Sequence, residues 1–391
     1  MTHTSSANDL ASLAGTLRVT PGAPLPMALQ SSRQDWAPRF ARGQPASAWP
    51  GLVASLFNLC SHAHRLCAQL AIEAAAPGVI PAPQQVAQRL RTETAQEHIR
   101  RIGLDWPRLL AGGDEALCAA QAQAALRDCP LLAPAGTGQA DPWPATRAWL
   151  EEHLLQMPAA PWQRAWQACG ADWLLDWSHR HDGWLPQAVS AARDADDAVP
   201  LSPAGALRAH ADVIGQRALA AALALKPGFA LHPQWHGRFA HSGSWTRLND
   251  PAASLPLTPW ALIGSRLADL VRLCLPDTPG QSGEGWLCFG ALGTGPRQGM
   301  AWVEMARGLL VHQVEIEGSG GDARMGACRV LAPTEWNFHP QGEVAQRVAA
   351  MDAERPAGDT ERRVRLLMAA FDPCVPFELR YPVPSGEMPH A

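Results

Sequence analysis

Two segments far apart in the chain carry residue types suited to thiol and metal chemistry. Asn58 to Ala75 reads NLCSHAHRLCAQLAIEAA and brings Cys60, His62, His64 and Cys67 into one short run. On a helix Cys60, His64 and Cys67 fall at i, i+4 and i+7 and share a face, with His62 pointing elsewhere. A thiolate and an imidazole one turn apart can hold a metal together, or the imidazole can orient the thiolate. As a zinc site the run lacks a second Cys or His pair at finger spacing. As a Cys–His nucleophile it lacks an identifiable orienting group and oxyanion hole. Taken alone, Cys-x3-His reads as a buried cysteine beside a hydrogen-bonded histidine. At the other end, FDPCVPF delivers Asp372, Pro373 and Cys374 just after an expected helix. Proline fixes the backbone immediately before that thiol, which suits a side chain that must point one way.

The elements that must position these residues are mostly helical. The pattern predicts one helix from Trp49 to Ala76 with a break near Pro50, and others over 83–102 and 114–126. The 130–144 stretch reads as a loop from its Pro and Gly content. Ser202 and Pro203 predict a capped helix running to about Leu225, and Thr258 and Pro259 another ending near Leu275. WLCFGAL, MAWVEM, LLVHQVEIEG and ACRVLAPTEWN then alternate like strands. Helices around 343–351 and 361–370 follow, and the Pro-rich tail from Tyr381 reads as loose. The fold class is α+β, mainly helical. The chain is read as one domain over 1–391, containing a first cysteine helix (49–76), an insertion-like region (130–199), a strand-rich region (286–340) and a second cysteine motif (360–377).

Composition narrows the function classes. With 47% apolar and 17% charged residues, the 391-residue chain can bury a large core. A net charge of −4 without single-sign runs argues against a nucleic-acid partner. No apolar run is long enough for a membrane span, and MTHTSSANDL lacks the features of a secretory signal. Nine cysteines without a framework spacing fit reduced thiols, so the expected compartment is the cytoplasm.

Together, the two ends resemble the large subunit of nickel–iron hydrogenases, and more closely the HupK/HoxV accessory proteins derived from it. Cys60 and His64 match the second cysteine and the histidine of that family's Cys-x-x-Cys-x3-His motif, and Glu73 matches a family Glu downstream. Cys374, after Asp372 and Pro373, matches the first cysteine of its Asp-Pro-Cys-x-x-Cys motif. EMARGLLVHQVEIEG resembles the family's Glu-Ala-Pro-Arg-Gly-x-Leu-x-His segment, and APTEWNFHP its Pro-Thr-Thr-Trp-Asn-x-x-Pro. HSGSWTR is a weaker echo of a third segment.

The departures shape what the resemblance implies. Phe57 and Phe377 stand where two of the four thiolates belong, and phenylalanine cannot ligate nickel. RQDW (33–36) aligns with the family's RGxE without supplying its Glu, and no counterpart of the carboxy-terminal histidine follows Phe377. The resemblance therefore implies a degenerate large-subunit fold, with a central helix bundle and smaller strand-rich regions, that is not an enzyme. It implies cargo rather than a resident centre: an Fe(CN)2(CO) unit on Cys60 and Cys374, without nickel. Arg307 and Thr334 would donate to the cyanides, His64 would hydrogen-bond a thiolate sulfur, and Asp372 would pair with Arg307. The implied partners are the cyanide-synthesising and iron-carrying maturation proteins and the apo hydrogenase large subunit. The alternative is a metal-free chaperone docking maturation factors or hydrogenase subunits. Cys67 is read as core packing, its helical face keeping it a third candidate thiol, His312 as structural, and His62 and His339 as surface residues or loop ligands without a role.

Overall fold

The computed structural model describes residues 15–133, 141–250, 257–275, 285–352 and 355–381. The opening decapeptide, residues 134–140 of the 130–144 loop and the tail beyond Tyr381 lie outside the described residues. Two short strands, β1 (Leu17–Val19) and β2 (Leu29–Ser31), pair antiparallel at the start. The first cysteine segment then forms two helices rather than one, α1 (Trp49–Leu56) and α2 (Ser61–Ala75), joined by a 3-10 turn over Asn58–Cys60. Pro50 does not break anything: it sits in the first turn of α1, where its missing N–H removes no helical bond. The interruption is at Phe57 (φ −116°, ψ 60°) and at Cys60 (φ −135°, ψ 42°), which is the residue preceding α2 and not part of its face.

Helix α3 (Val86–Arg100) continues through a wide π turn at Arg101–Asp105 into a short helix at Trp106–Leu110. Helix α3 supplies Glu93, whose carboxylate reaches the start of α2, and Glu97, which reaches Arg307. Helices at Trp143–Leu150, Ala159–Cys169, Ala171–Arg180 and Trp184–Ala192 follow. Trp162, Trp166 and Trp177 in this region stack on one another or meet edge-on inside the core. The helix expected after Ser202 is absent: one 3-10 turn at Pro203–Gly205 is followed by extended chain. Leu207 N–H donates to the His241 carbonyl (2.9 Å) and His241 N–H to that of Gly205 (2.8 Å), so the HSGSWTR segment holds this stretch open. The helix begins instead at Val213, capped by Asp212, whose carboxylate accepts from Gly215 N–H (2.8 Å).

Helix α4 (Pro259–Cys274) starts where expected, with Thr258 Oγ1 accepting from Ala261 N–H, and is buried along its whole length. The four strands β3 (Phe289–Gly295), β4 (Gln298–Met305), β5 (Gly308–Glu317) and β6 (Arg324–Leu331) form an antiparallel meander in sequence order. Its face lies on α2. Gly299 makes that approach possible, because a Cβ there would meet Ala75 N at 2.6 Å. Cys67 on α2 donates its thiol proton to the Ala301 carbonyl at 3.3 Å, and burial raises its pKa well above the ordinary thiol range. It is a packed thiol. Short α5 (Pro333–Asn337) leads on to α6 (Ala357–Phe371), and β7 (Phe377–Leu379) then pairs parallel with β1. Cys374 is thus held between a buried helix and a strand that closes the chain onto its own beginning. The result is α+β and mainly helical, as the pattern implied.

Candidate functional site

The backbone brings the two ends together. Helix α6 stops at Phe371, and Asp372 turns the chain in the left-handed region (φ 51°), which Asp tolerates better than most side chains. Pro373 and Cys374 follow. The Cys60 and Cys374 thiols hydrogen-bond each other, in spite of their separation in sequence. Thr334, at the start of α5, completes the thiol pair from the side. Its Oγ1 accepts from Cys374 N–H at 3.4 Å, and its hydroxyl bonds the Cys374 sulfur.

The electrostatics separate the two sulfurs. The hydrogen bond from Cys60, the guanidinium charges of Arg307 and Arg33, and the Thr334 bond outweigh burial and depress the Cys374 pKa. Cys60, bound to that thiolate and buried, is pushed well above the ordinary thiol range. These opposed shifts favour a thiol on Cys60 and a thiolate on Cys374.

Above it lies a canopy of buried charges. Arg307 is placed by the tight β4–β5 turn, in which Met305 pairs with Gly308. Gly308 is required there: its φ is +122°, and a Cβ would meet Gly243 N at 2.8 Å. Arg307 Nη1 contacts Glu97 Oε2 at 3.3 Å, and its Nε lies 3.3 Å from Asp372 Oδ2. Asp372 also takes Arg266 (3.0 Å) and Arg101 (3.0 Å). Burial would raise that carboxyl, but the Arg307, Arg266 and Arg101 charges bring it down to about 2. Burial likewise opposes the charge on Arg307, yet Asp372, Cys374, Cys60 and Glu97 raise its pKa well above the usual value. Arg307 Nη2 is buried and has no hydrogen-bond acceptor. From Arg266 the network runs to His98 Nδ1 (3.2 Å), from His98 Nε2 to Asp269 (2.8 Å), and on to Arg247 (2.7 Å) and Trp286 (2.6 Å).

His64 is brought to the site, but its hydrogen bond differs from expectation. Its Nδ1 shares a 3.0 Å bond with His312 Nε2, and its ring stacks on Phe57 with centroids 4.1 Å apart. Burial, reinforced by His312 and the nearby arginines, lowers its pKa well below the usual value, so it stays neutral. His312, read as structural, is the buried partner of His64, and burial lowers it to about 3. Phe57 is the platform for that imidazole. His339 is not a surface residue: it is buried against Phe239 and accepts from Gln341 N–H at 3.1 Å. His62 is half-buried, its N–H bonded to Glu93.

Several contributors escaped the sequence reading. Glu93 on α3 accepts from the N–H groups of His62 (2.6 Å) and Ala63 (2.7 Å), capping α2 from another helix. Burial raises it to about 7 despite those bonds. Arg33, in the segment that lacked a family Glu, pairs with Glu335 at 2.8 Å, and its charge reaches both sulfurs. Arg266 and Asp269 left the one local signal, being two of three charges, with Arg272, on a mostly apolar helix. Glu97, Arg101 and Glu335 left none. Among the described residues no group of three or more His, Cys, Asp or Glu is placed to hold a metal ion. Within the same residues no helix is long and apolar enough to cross a membrane.

No protein-family model matches the chain. It is 38% identical over 385 residues to the hydrogenase expression/formation protein HoxV of Cupriavidus necator, covering 97% of this chain and 98% of that one. The hydrogenase expression/formation protein HupK of Rhizobium leguminosarum bv. viciae is 31% identical over 366 residues, 90% of this chain and 92% of its own. Among solved structures, the reduced Ni-Fe-Se hydrogenase of D. vulgaris Hildenborough superposes with a TM-score of 0.51 at 12% identity, over 88% of this chain and 92% of that one. At that identity the likeness is one of fold, and the fold is that of the nickel–iron hydrogenase large subunit.

Proposed function

The chain belongs to the HoxV/HupK family of hydrogenase expression/formation proteins, and from that premise we propose that it holds and hands on the Fe(CN)2(CO) unit during nickel–iron hydrogenase assembly. The observation that carries this reading is a buried guanidinium with an unmatched donor, Arg307 Nη2, beside two hydrogen-bonded thiols. A buried N–H of a cation without an acceptor is costly. An anionic diatomic acceptor such as cyanide would satisfy it through a charge-assisted bond.

Low-spin iron that arrives with three diatomic ligands needs few from the protein, and soft thiolates suit it. Cys374 offers a thiolate, and Cys60 gives up its proton on binding. The Thr334 hydroxyl would turn its one proton from the Cys374 sulfur to a second cyanide once that sulfur binds iron. Asp372 and Glu97 fix the Arg307 fork, and His64 packs beside the pair as a neutral ring. The partners on this reading are the proteins that make or carry the iron unit and an apo large subunit that receives it. With Phe57 and Phe377 in place of thiolates, nickel has too few soft ligands here.

The test is metal analysis of protein co-produced with hydrogenase maturation proteins and purified without oxygen. Stoichiometric iron without nickel is expected, and its loss from the Cys60→Ser/Cys374→Ser double variant. Iron near zero in well-folded wild type, with partner binding intact in the double variant, would select the metal-free chaperone instead. What favours that rival is the lack of a three-ligand cluster among the described residues.

A further inference from the structure

The two thiols are not equivalent in the fold. Cys374 is half-buried and lines a cavity of about 710 Å3. The walls include Leu59, Leu104 and Phe377, together with Glu97, Arg101 and Asp372 from the charged canopy. Leu59 and Leu104 are 46% and 48% exposed and so stand on its solvent side. Cys60 is only 5% exposed and lines neither this cavity nor the neighbouring one beside Glu93. Solvent and anything carried by it reach the pair from the Cys374 side.

Resting on the carrier reading, we propose that this cavity is the port for the iron unit, and that Cys374 binds it first and Cys60 second. A donor protein that holds the iron through cysteine thiolates presents it at the mouth. The Cys374 sulfur forms an Fe–S bond as one donor Fe–S bond breaks, one thiolate replacing another. Cys60 then forms the second Fe–S bond as the last donor bond breaks, and its thiol proton passes to the departing donor thiolate. Iron keeps its oxidation state and its three diatomic ligands throughout, so neither oxidant nor reductant is required. Release to an acceptor is the reverse, with Cys60 leaving first. The iron is never free, because the second exchange is intramolecular once the first has occurred.

The port is tested without cargo, by treating the full chain with iodoacetamide under nitrogen and following each cysteine by mass spectrometry. Cys374 is expected to react on the order of tenfold faster than Cys60, as its exposure dictates. Leu104→Trp, or Leu59→Trp should the first variant fold poorly, should slow Cys374 several-fold and leave the exposed Cys169 unchanged. Cys60 reacting as fast as Cys374, or Cys374 indifferent to both mouth variants, overturns the port. Order is read on iron: Cys60→Ser protein should acquire iron and lose it on gel filtration, whereas Cys374→Ser acquires none. The opposite pattern overturns the order. The alkylation result stands apart from the iron content of wild type, so a failed port and a failed carrier are told apart.

Discussion

Asp372 carries more of the site than any other carboxylate, since three guanidinium groups converge on it and it also makes the left-handed turn that delivers Cys374. Asn at this position keeps the turn but leaves buried Arg307 and Arg266 and the partly exposed Arg101 facing one another. Asp372→Asn is therefore expected to lower the unfolding free energy by about 3 kcal/mol or more, the range for removing one partner of a buried ion network. Urea unfolding at neutral pH measures it, and a change within a few tenths would deny Asp372 its central place. Residues of this kind were readable to unequal degrees. Cys60, Cys374, Arg307, Thr334 and Asp372 lie in ordered segments and could be picked out from them. Glu97, Arg101 and the Arg33–Glu335 pair could not, because ion pairs formed between distant segments leave no local pattern. His64 was found but given a sulfur as its hydrogen-bond partner, and the imidazole across from it proved to be on β5.

The β4–β5 turn is the element on which the canopy depends. Gly308→Ala forces a left-handed φ and a clash with the Ser242–Gly243 backbone, which should cost about 1–3 kcal/mol. Gly51 provides the opposite case. It lies exposed in α1 with nothing within 4 Å of a built Cβ, so Gly51→Ala should stabilise by about 0.5–1 kcal/mol. Parallel denaturation of the two variants checks both signs. Equal effects would mean that the turn does not constrain Gly308. Most long elements followed from their periodicity and caps, α4 and the four-stranded meander most clearly. The misplaced ones have physical causes. Pro50 reads as a breaker but stands at a helix start where proline is tolerated, and the Ser202–Pro203 cap signal loses to backbone pairing with the HSGSWTR segment. The three-residue strands β1, β2 and β7 are too short to show a period, yet β7 is what fixes the second cysteine motif.

Over the whole molecule, buried neutral imidazoles set the response to acid. His312 has a folded pKa near 3 and His64 lies well below its ordinary value, while in the unfolded chain both titrate near 6.5. A depressed folded pKa means that the unfolded state takes up the proton first. Stability is therefore kept above about pH 6.5 and lost as pH falls toward 3, by up to about 5 kcal/mol for His312 alone. Glu93 acts the other way. Its folded pKa, raised to about 7, gives a contribution that is present below the unfolded carboxyl value and lost as pH rises through 7. His312→Gln should flatten the acid limb of a stability–pH curve, and Glu93→Gln should steepen it. Identical curves for the two variants would contradict the assignment. The same burial that makes the protein acid-sensitive surrounds the thiol pair with fixed donors.

The central claim is that these donors and thiols exist to hold an iron–cyanide–carbonyl unit. The measurement that meets it most directly is the infrared spectrum of protein co-produced with hydrogenase maturation proteins and purified without oxygen. Two bands in the cyanide region and one in the carbonyl region are predicted, with Arg307→Met shifting the cyanide bands as their charged donor is lost. A spectrum empty of diatomic bands, from folded wild-type protein, would contradict it.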